Sequence, residues 1–215
     1  MLGKRVTSTS ITVEDLTGAP TYNGKALFGY TPVDAQGVQP AARTVLIEKG
    51  VLKTLLNDRV PTENIRNSTG HALFSSNGGF RKNAGVIRMS YADPKPSEEL
   101  VSELFRLSRE AGYEYAYIAK NISGNSPELY RVYPDGREER YLGGVINNFN
   151  NDSFKRIIGA TATEKVLEFL SGNKISIIVP EAVLFEELQI QSNGVQNFNR
   201  PPLVPRPIIS GEGVF

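Results

Sequence analysis

The stretch LIEKGVLKTLLNDR, residues 46–59, sets two apolar runs on either side of a charged turn, Glu48-Lys49-Gly50. Thr44 to Glu48 reads as a strand. Gly50 supplies the positive φ that short hairpin turns require, so the chain reverses there and the pattern predicts a β-hairpin. Val51 to Leu56 runs back either as the second strand or as a short helical turn.

The neighbouring segments extend the β reading. Residues 5–14, RVTSTSITVE, alternate β-branched and polar residues with period two and predict a strand with one wet face. DLTGAPTYNG, residues 15–24, reads as a loop rich in turn formers. Residues 60–85 are again turn-rich, with NSTG at 67–70 and SSNGG at 75–79, and a long irregular segment of this kind is either mobile or functional. Val86 to Ser90 predicts a short strand, stopped by Asp93-Pro94-Lys95-Pro96. Ser97 is read as a helix N-cap, Glu98 and Glu99 suit the first turn, and Leu100, Val101, Leu104, Phe105 and Leu107 form the apolar face of a helix that stops at Gly112.

Further along, YEYAYIA at 113–119 predicts a strand whose tyrosines pack rather than stack on bases. Pro134-Asp135-Gly136 marks a second hairpin. TEKVLEFL, residues 163–170, has an N-cap and an apolar stripe at helical spacing, which predicts a shorter helix closed near Gly172. Ile175 to Val179 is an apolar strand ended by Pro180, and Phe185 to Gln191 a last strand or helix. The expected fold is α+β, mainly antiparallel strands and hairpins in a barrel- or sandwich-like arrangement, with helices at about 97–112 and 163–170. Residues 1–198 are expected to form a single domain, and 199–215, with RPPLVPRPI, an extended tail.

Composition narrows function. Lys plus Arg total 24 against 23 Asp plus Glu, so no broad field favours nucleic acid or an anionic membrane. No apolar run reaches the roughly 18 residues of a membrane span, and no leader pattern opens the chain. Cytoplasm is the default location. With no Cys and one His, a self-contained catalytic zinc site is not expected, because such sites commonly draw several ligands from those two residue types. A Ser-His-Asp triad would have to use His71, and no Gly-x-Ser-x-Gly elbow accompanies it. Gly78-Gly79 lacks the following Gly-Lys-Ser/Thr of a phosphate loop. Asn121-Ile122-Ser123 is a glycosylation acceptor in an exported protein alone.

The order GKRVTSTSITVED, then GY-x-PVDAQGV with TVLIEKGVLKTLLNDR, then STGHA, resembles the C-terminal domain of the TldD/PmbA family. That family comprises metallopeptidases and metal-free relatives historically labelled modulators of DNA gyrase. Its D-x-x-G and hairpin pattern falls on Asp34, Gly37, Leu46, Ile47, Gly50, Leu52, Asp58 and Arg59. The resemblance runs from about Gly3 to Gln191. Peptidase members carry a His-Glu-x-x-x-His zinc motif upstream of the segment matching Gly3 and a cysteine near the C-terminus; this chain has neither, so no catalytic or metal-binding role transfers to any of its residues. The opening at MLGKRV, already inside a strand pattern, points to a domain of a longer protein, in which zinc would belong to the full-length parent. The resemblance implies a cleft for an unfolded peptide or protein substrate, with Asp58, Arg59, Ser68, Thr69, Gly70 and His71 as candidate cleft residues. It further implies a homo- or heterodimer with a family member, and the alternative of a non-catalytic, peptide-binding partner subunit.

Overall fold

The computed structural model describes residues 2–120 and 127–192. These form two compact units, one of residues 2–114 and 148–188, the other of 115–120, 127–147 and 189–192. The Asn121 acceptor and the 199–215 tail lie outside the described residues.

In the larger unit the elements run β1 Ile11–Asp15, β2 Thr21–Tyr22, β3 Lys25–Ala26, β4 Thr44–Glu48, β5 Val51–Leu52, β6 Ala72–Phe74, β7 Phe80–Lys82, β8 Val86–Tyr91 and α1 Ser97–Glu110. The smaller unit supplies β9 Ala116–Lys120, β10 Glu128–Val132, β11 Glu138–Arg140 and β12 Gly144–Asn147. The chain returns to the larger unit with a 3-10 turn at Ser153–Arg156, β13 Ile157–Ala160, β14 Glu164–Ser171, β15 Asn173–Pro180 and β16 Val183–Phe185, and β17 Gln189–Ser192 belongs to the smaller unit. Among the described residues the fold is α+β, built on an open six-stranded sheet of order β14-β15-β8-β1-β4-β5, with no closed barrel.

The β4–β5 hairpin forms where the sequence predicts it. Lys49 at φ 47 and Gly50 at φ 77 both take positive angles, the pattern of a two-residue turn matched to strand twist. Gly50 is constrained a second time: an added Cβ would lie 2.7 Å from the carbonyl oxygens of Thr7 and Ser8. Val51 to Leu56 therefore resolves as a short strand followed by irregular chain, pinned by Lys53 N–H donating to Leu46 O.

Helix α1 is as predicted at its C-terminal end, where Tyr113 N–H donates to Ser108 O and Gly112 N–H to Arg109 O, the paired bonds of a Schellman motif. Its start differs. Pro96 occupies the N-cap and Ser97 is already helical, one position too late for its hydroxyl to cap, so the cap carries no side-chain bond. Leu100 is buried over Gly159 of β13.

The helix expected at 163–170 is a strand. Glu164 to Ser171 pair one for one with Pro180 back to Asn173 in unbroken antiparallel register. VLEFL satisfies either period. The tight reversal at Gly172 places the apolar 175–179 run alongside, and eight residue pairs outweigh local helical preference. The single wet face expected of residues 5–14 is also corrected, since β1 has Glu14 and Asp15, pointing to opposite faces, both buried.

Across the sheet, Glu14, Arg88, Ile178 and Val166 form one register row, and Asp15, Ile87, Ile177 and Leu167 form the row on the opposite face. The core lies on the first face, where Leu16, Val86 and Ile178 pack with Leu27 from the loop that follows β3. In the smaller unit β11-β10-β9 make a three-stranded sheet. Its tyrosines pack: the Arg131 guanidinium lies 4.4 Å from the Tyr141 ring centroid and 5.0 Å from that of Tyr115.

Candidate functional site

The candidate residues Asp58, Arg59, Ser68, Thr69, Gly70 and His71 come together at the two ends of one surface loop. Its neck is closed by reciprocal bonds: Asn57 N–H donates to Thr69 Oγ1 at 2.7 Å, and Thr69 N–H to Asn57 O at 3.0 Å. Asn57 Nδ2 reaches into the loop to Ile65 O at 3.1 Å and Asn67 O at 3.4 Å. This is the closed-neck form of an Ω-loop. Asn57 Oδ1 is buried with no partner among the described residues.

His71 anchors that neck to the sheet. Its Nδ1 lies 2.9 Å from Thr69 Oγ1 and its Nε2 2.9 Å from Asp15 Oδ2, with His71 and Asp15 both 0% exposed. Asp15 Oδ1 accepts the Thr17 hydroxyl proton at 2.6 Å, and Thr17 Oγ1 in turn accepts Gly85 N–H and Val86 N–H. A carboxylate can only accept, so the network assigns a proton to Nε2; on the other side Thr69 Oγ1, which accepts Asn57 N–H and donates to Asn57 O at 3.0 Å, lies against Nδ1. A continuous relay results, from Asn57 at the loop neck through Thr69, His71, Asp15 and Thr17 to the start of β8.

Thr69, His71 and Asp15 thus have the hydrogen-bond wiring of a hydroxyl-imidazole-carboxylate triad but not its access. A general base must come within about 3 Å of the proton it takes from a substrate-bound group, and His71 has no exposed surface. His71 is a positioning residue. Gly70 beside it has φ 79, and an added Cβ would fall 2.6 Å from Pro40 N.

Two further ties hold the loop. Asp34, the acid of the D-x-x-G segment, accepts Gln36 N–H and Val38 N–H on Oδ1 and Ala72 N–H on Oδ2, joining that segment to the strand that follows His71. Gln36 Oε1 then accepts Arg59 N–H at 2.7 Å. Asp58 Oδ1 accepts Val60 N–H and lies 3.3 Å from Lys82 Nζ on β7. The side chains facing outward are Arg59 and, in part, Ser68; Asp58, Gly70 and His71 are buried and Thr69 half-buried.

Beside the neck runs a groove of about 450 Å³, floored by Val13, Ile47 and Leu52 and flanked by Leu55, Lys82 and Asn83. Its floor is apolar and its rim carries Lys82, whose charge is shared with Asp58.

The opposite face holds a second polar cluster. Arg88 donates to Glu14 at 2.9 Å and to Glu164 at 2.9 Å, Arg43 caps Glu14, and Tyr22 donates to Glu164. Burial works against the Arg88 charge, yet its bonds to Glu164 and Glu14 outweigh that and hold the guanidinium above its ordinary range. Burial, then the bond to Glu164, hold the Tyr22 hydroxyl above its own. Sequence reading missed Asp15, Thr17, Asn57, Glu14 and Arg88. The one local signal was Glu14-Asp15, adjacent acids ending an apolar strand.

The described residues do not fit zinc. Both His71 nitrogens are engaged, and no three of His, Cys, Asp and Glu cluster in a way that could hold a metal ion.

Comparison with known proteins agrees with the residue pattern. The family model of the PmbA/TldA metallopeptidase C-terminal domain matches residues 1–192, and the chain belongs to that family. A metalloprotease of Methanothermobacter thermautotrophicus is 35% identical over 116 residues, which is 52% of this chain and 22% of that protein. A Thermotoga maritima protein named for modulation of a DNA gyrase has a similar fold, with TM-score 0.62 at 20% identity over 88% of this chain and 41% of its own. TldE of Thermococcus kodakarensis gives 0.61 at 18% identity with the same coverage of 88% and 41%. The chain spans less than half the length of these relatives. No helix among the described residues is long and apolar enough to cross a membrane.

Proposed function

We propose that this chain acts as the C-terminal domain of a PmbA/TldD-type metallopeptidase, framing a cleft that holds an unfolded stretch of protein substrate. The groove beside the Ω-loop neck carries this reading. The apolar floor of Val13, Ile47 and Leu52 suits the apolar side chains of an extended peptide, and such non-directional burial demands no particular sequence. Leu55 and Lys82 of the groove make the contacts, Arg59 and Ser68 extend them along the adjoining loop, and Asp58, Thr69, Gly70 and His71 keep the loop neck in place. Zinc and the hydrolytic step belong to a part of the parent protein outside this chain. The assembly is a cytoplasmic homo- or heterodimer of family members, with no direct nucleic-acid or membrane contact, in keeping with 24 basic against 23 acidic residues.

The engagement of both His71 nitrogens equally favours a second reading, a metal-free, non-catalytic partner subunit that binds peptide. Both readings require the groove. Fluorescence anisotropy with fluorescein-labelled β-casein, an unfolded probe, should show binding that Leu55→Asp weakens at least about tenfold, a loss of ~1.4 kcal/mol. Absence of binding, or equal binding by the variant, would reject the cleft.

A further inference from the structure

The three-stranded sheet of the smaller unit has two unlike faces. One carries the ion pairs Lys120–Glu138 and Arg140–Glu128. On the other, Tyr117, Arg131 and Glu139 form a register row. There the rings of Tyr133, Tyr115, Tyr117 and Tyr141 follow one another around the Arg131 guanidinium, with successive centroids 6.0, 5.4 and 5.5 Å apart. All four tyrosines are half-buried, and Glu139 lies exposed at the rim, accepting the Tyr133 hydroxyl at 2.9 Å. The β12–β17 ribbon covers one end of this face. Gly144 sits so close that an added Cβ would lie 2.7 Å from Tyr141 Cε1 and 2.9 Å from Leu129 Cδ1. Ser192, the last residue of the ribbon, pairs with that same Gly144, so residue 193 leaves the fold beside the tyrosine rings.

Residues 200–207 read RPPLVPRP, with Pro202 and Pro205 in a P-x-x-P spacing. Such composition favours polyproline II, and aromatic-lined surfaces take these segments because they are already close to their bound shape. We infer that residues 200–207 dock in polyproline II form on the tyrosine face of the same chain. The spacing agrees. Three residues of polyproline II rise about 9 Å and complete one turn, which sets Pro202 and Pro205 on one side of the segment. Steps of 5.4 and 5.5 Å put Tyr115 and Tyr141 no more than about 11 Å apart, so the two prolines match alternate rings. The reach agrees as well. Residues 193–199 span at most roughly 25 Å when extended, and the whole ring series no more than about 17 Å. Arg137 is bound to Asp135 at 2.7 Å, which leaves Glu139 as the rim carboxylate that meets Arg200 or Arg206. So short a tether holds the segment at an effective concentration of about a millimolar, enough to keep an intrinsically weak contact made.

Hydroxyl-radical footprinting of the intact chain, read by mass spectrometry, reports how open each ring is. Pro202→Ser with Pro205→Ser should raise the combined oxidation of Tyr115, Tyr117, Tyr133 and Tyr141 at least about threefold, as a mostly docked segment becomes mostly free. Tyr130, on the opposite face of β10, should be unchanged. The chain has no tryptophan, so Val204→Trp places a single reporter on the segment. Acrylamide should quench it at least about threefold less in the intact chain than in a synthetic peptide of residues 193–215 with the same change, at every protein concentration, and Tyr115→Ser should remove the difference. Unchanged tyrosine oxidation, or quenching equal to that of the free peptide, would overturn the docking. Protection that appears only as protein concentration rises would assign the face to a second copy, and tryptophan protection that survives Tyr115→Ser would place the segment elsewhere; either result likewise overturns it.

Discussion

Asp15→Asn removes the central acceptor of the relay at almost constant volume. The carboxylate accepts two bonds, from Thr17 at 2.6 Å and from His71 at 2.9 Å, and has no exposed surface. An amide has one oxygen. If that oxygen faces His71 Nε2–H, the NH2 group faces Thr17 Oγ1, which already accepts from Gly85 and Val86 and is left with no acceptor for its own proton. Two bonds to a charged group, each worth about 1.5–3 kcal/mol net, give way to one neutral bond of about 1 kcal/mol, so the expected loss is about 2–5 kcal/mol. For a chain of this size, with a urea m-value near 2–3 kcal/mol/M, the midpoint should fall by roughly 1 M with m unchanged. Asp15→Ala should cost more, about 3–5 kcal/mol, since it leaves both donors buried without an acceptor. A midpoint shift for Asp15→Asn equivalent to less than about 1 kcal/mol would refute the relay, because an amide could match the carboxylate only if one of the two bonds were absent.

Gly50→Ala combines a positive φ with a Cβ 2.7 Å from two carbonyl oxygens; a loss above about 1–3 kcal/mol is expected, read by thermal unfolding. Arg88→Met leaves Glu14 to Arg43 and Glu164 to Tyr22, and the lost charged bonds should destabilise by about 1.5–3 kcal/mol in the same assay. Tyr22 has its hydroxyl pKa raised by burial and the Glu164 bond. A raised folded-state value means its contribution is fully present below the unfolded value, near 10, and is lost as pH climbs through the folded one. Melting temperature should therefore fall in strongly alkaline solution, with a shallower fall for Tyr22→Phe.

Where local chemistry leaves one solution, the sequence is legible. Glu48-Lys49-Gly50 permits little but a reversal, and α1 ends where Gly112 allows the Schellman bonds. TEKVLEFL misleads because helical and strand periods both fit it, and the decision is made by the run after Gly172, a partner no local window weighs. His71, a cleft candidate on the strength of the resemblance, has no exposed surface and instead positions the loop neck. Its partners escaped because Asp15 is 56 positions away, and period-two alternation assigns a strand's polar residues to water. Glu14 and Asp15 break that rule by finding Arg88 and His71 on opposite faces.

The central claim is that this domain holds peptide while carrying no zinc of its own. Its most direct test is the zinc content of the purified chain, measured by plasma mass spectrometry after dialysis against zinc and then against buffer, on protein shown by anisotropy to bind β-casein. The expected result is casein binding with zinc far below one equivalent. About one tightly held equivalent, the stoichiometry of a single protein site, would contradict it.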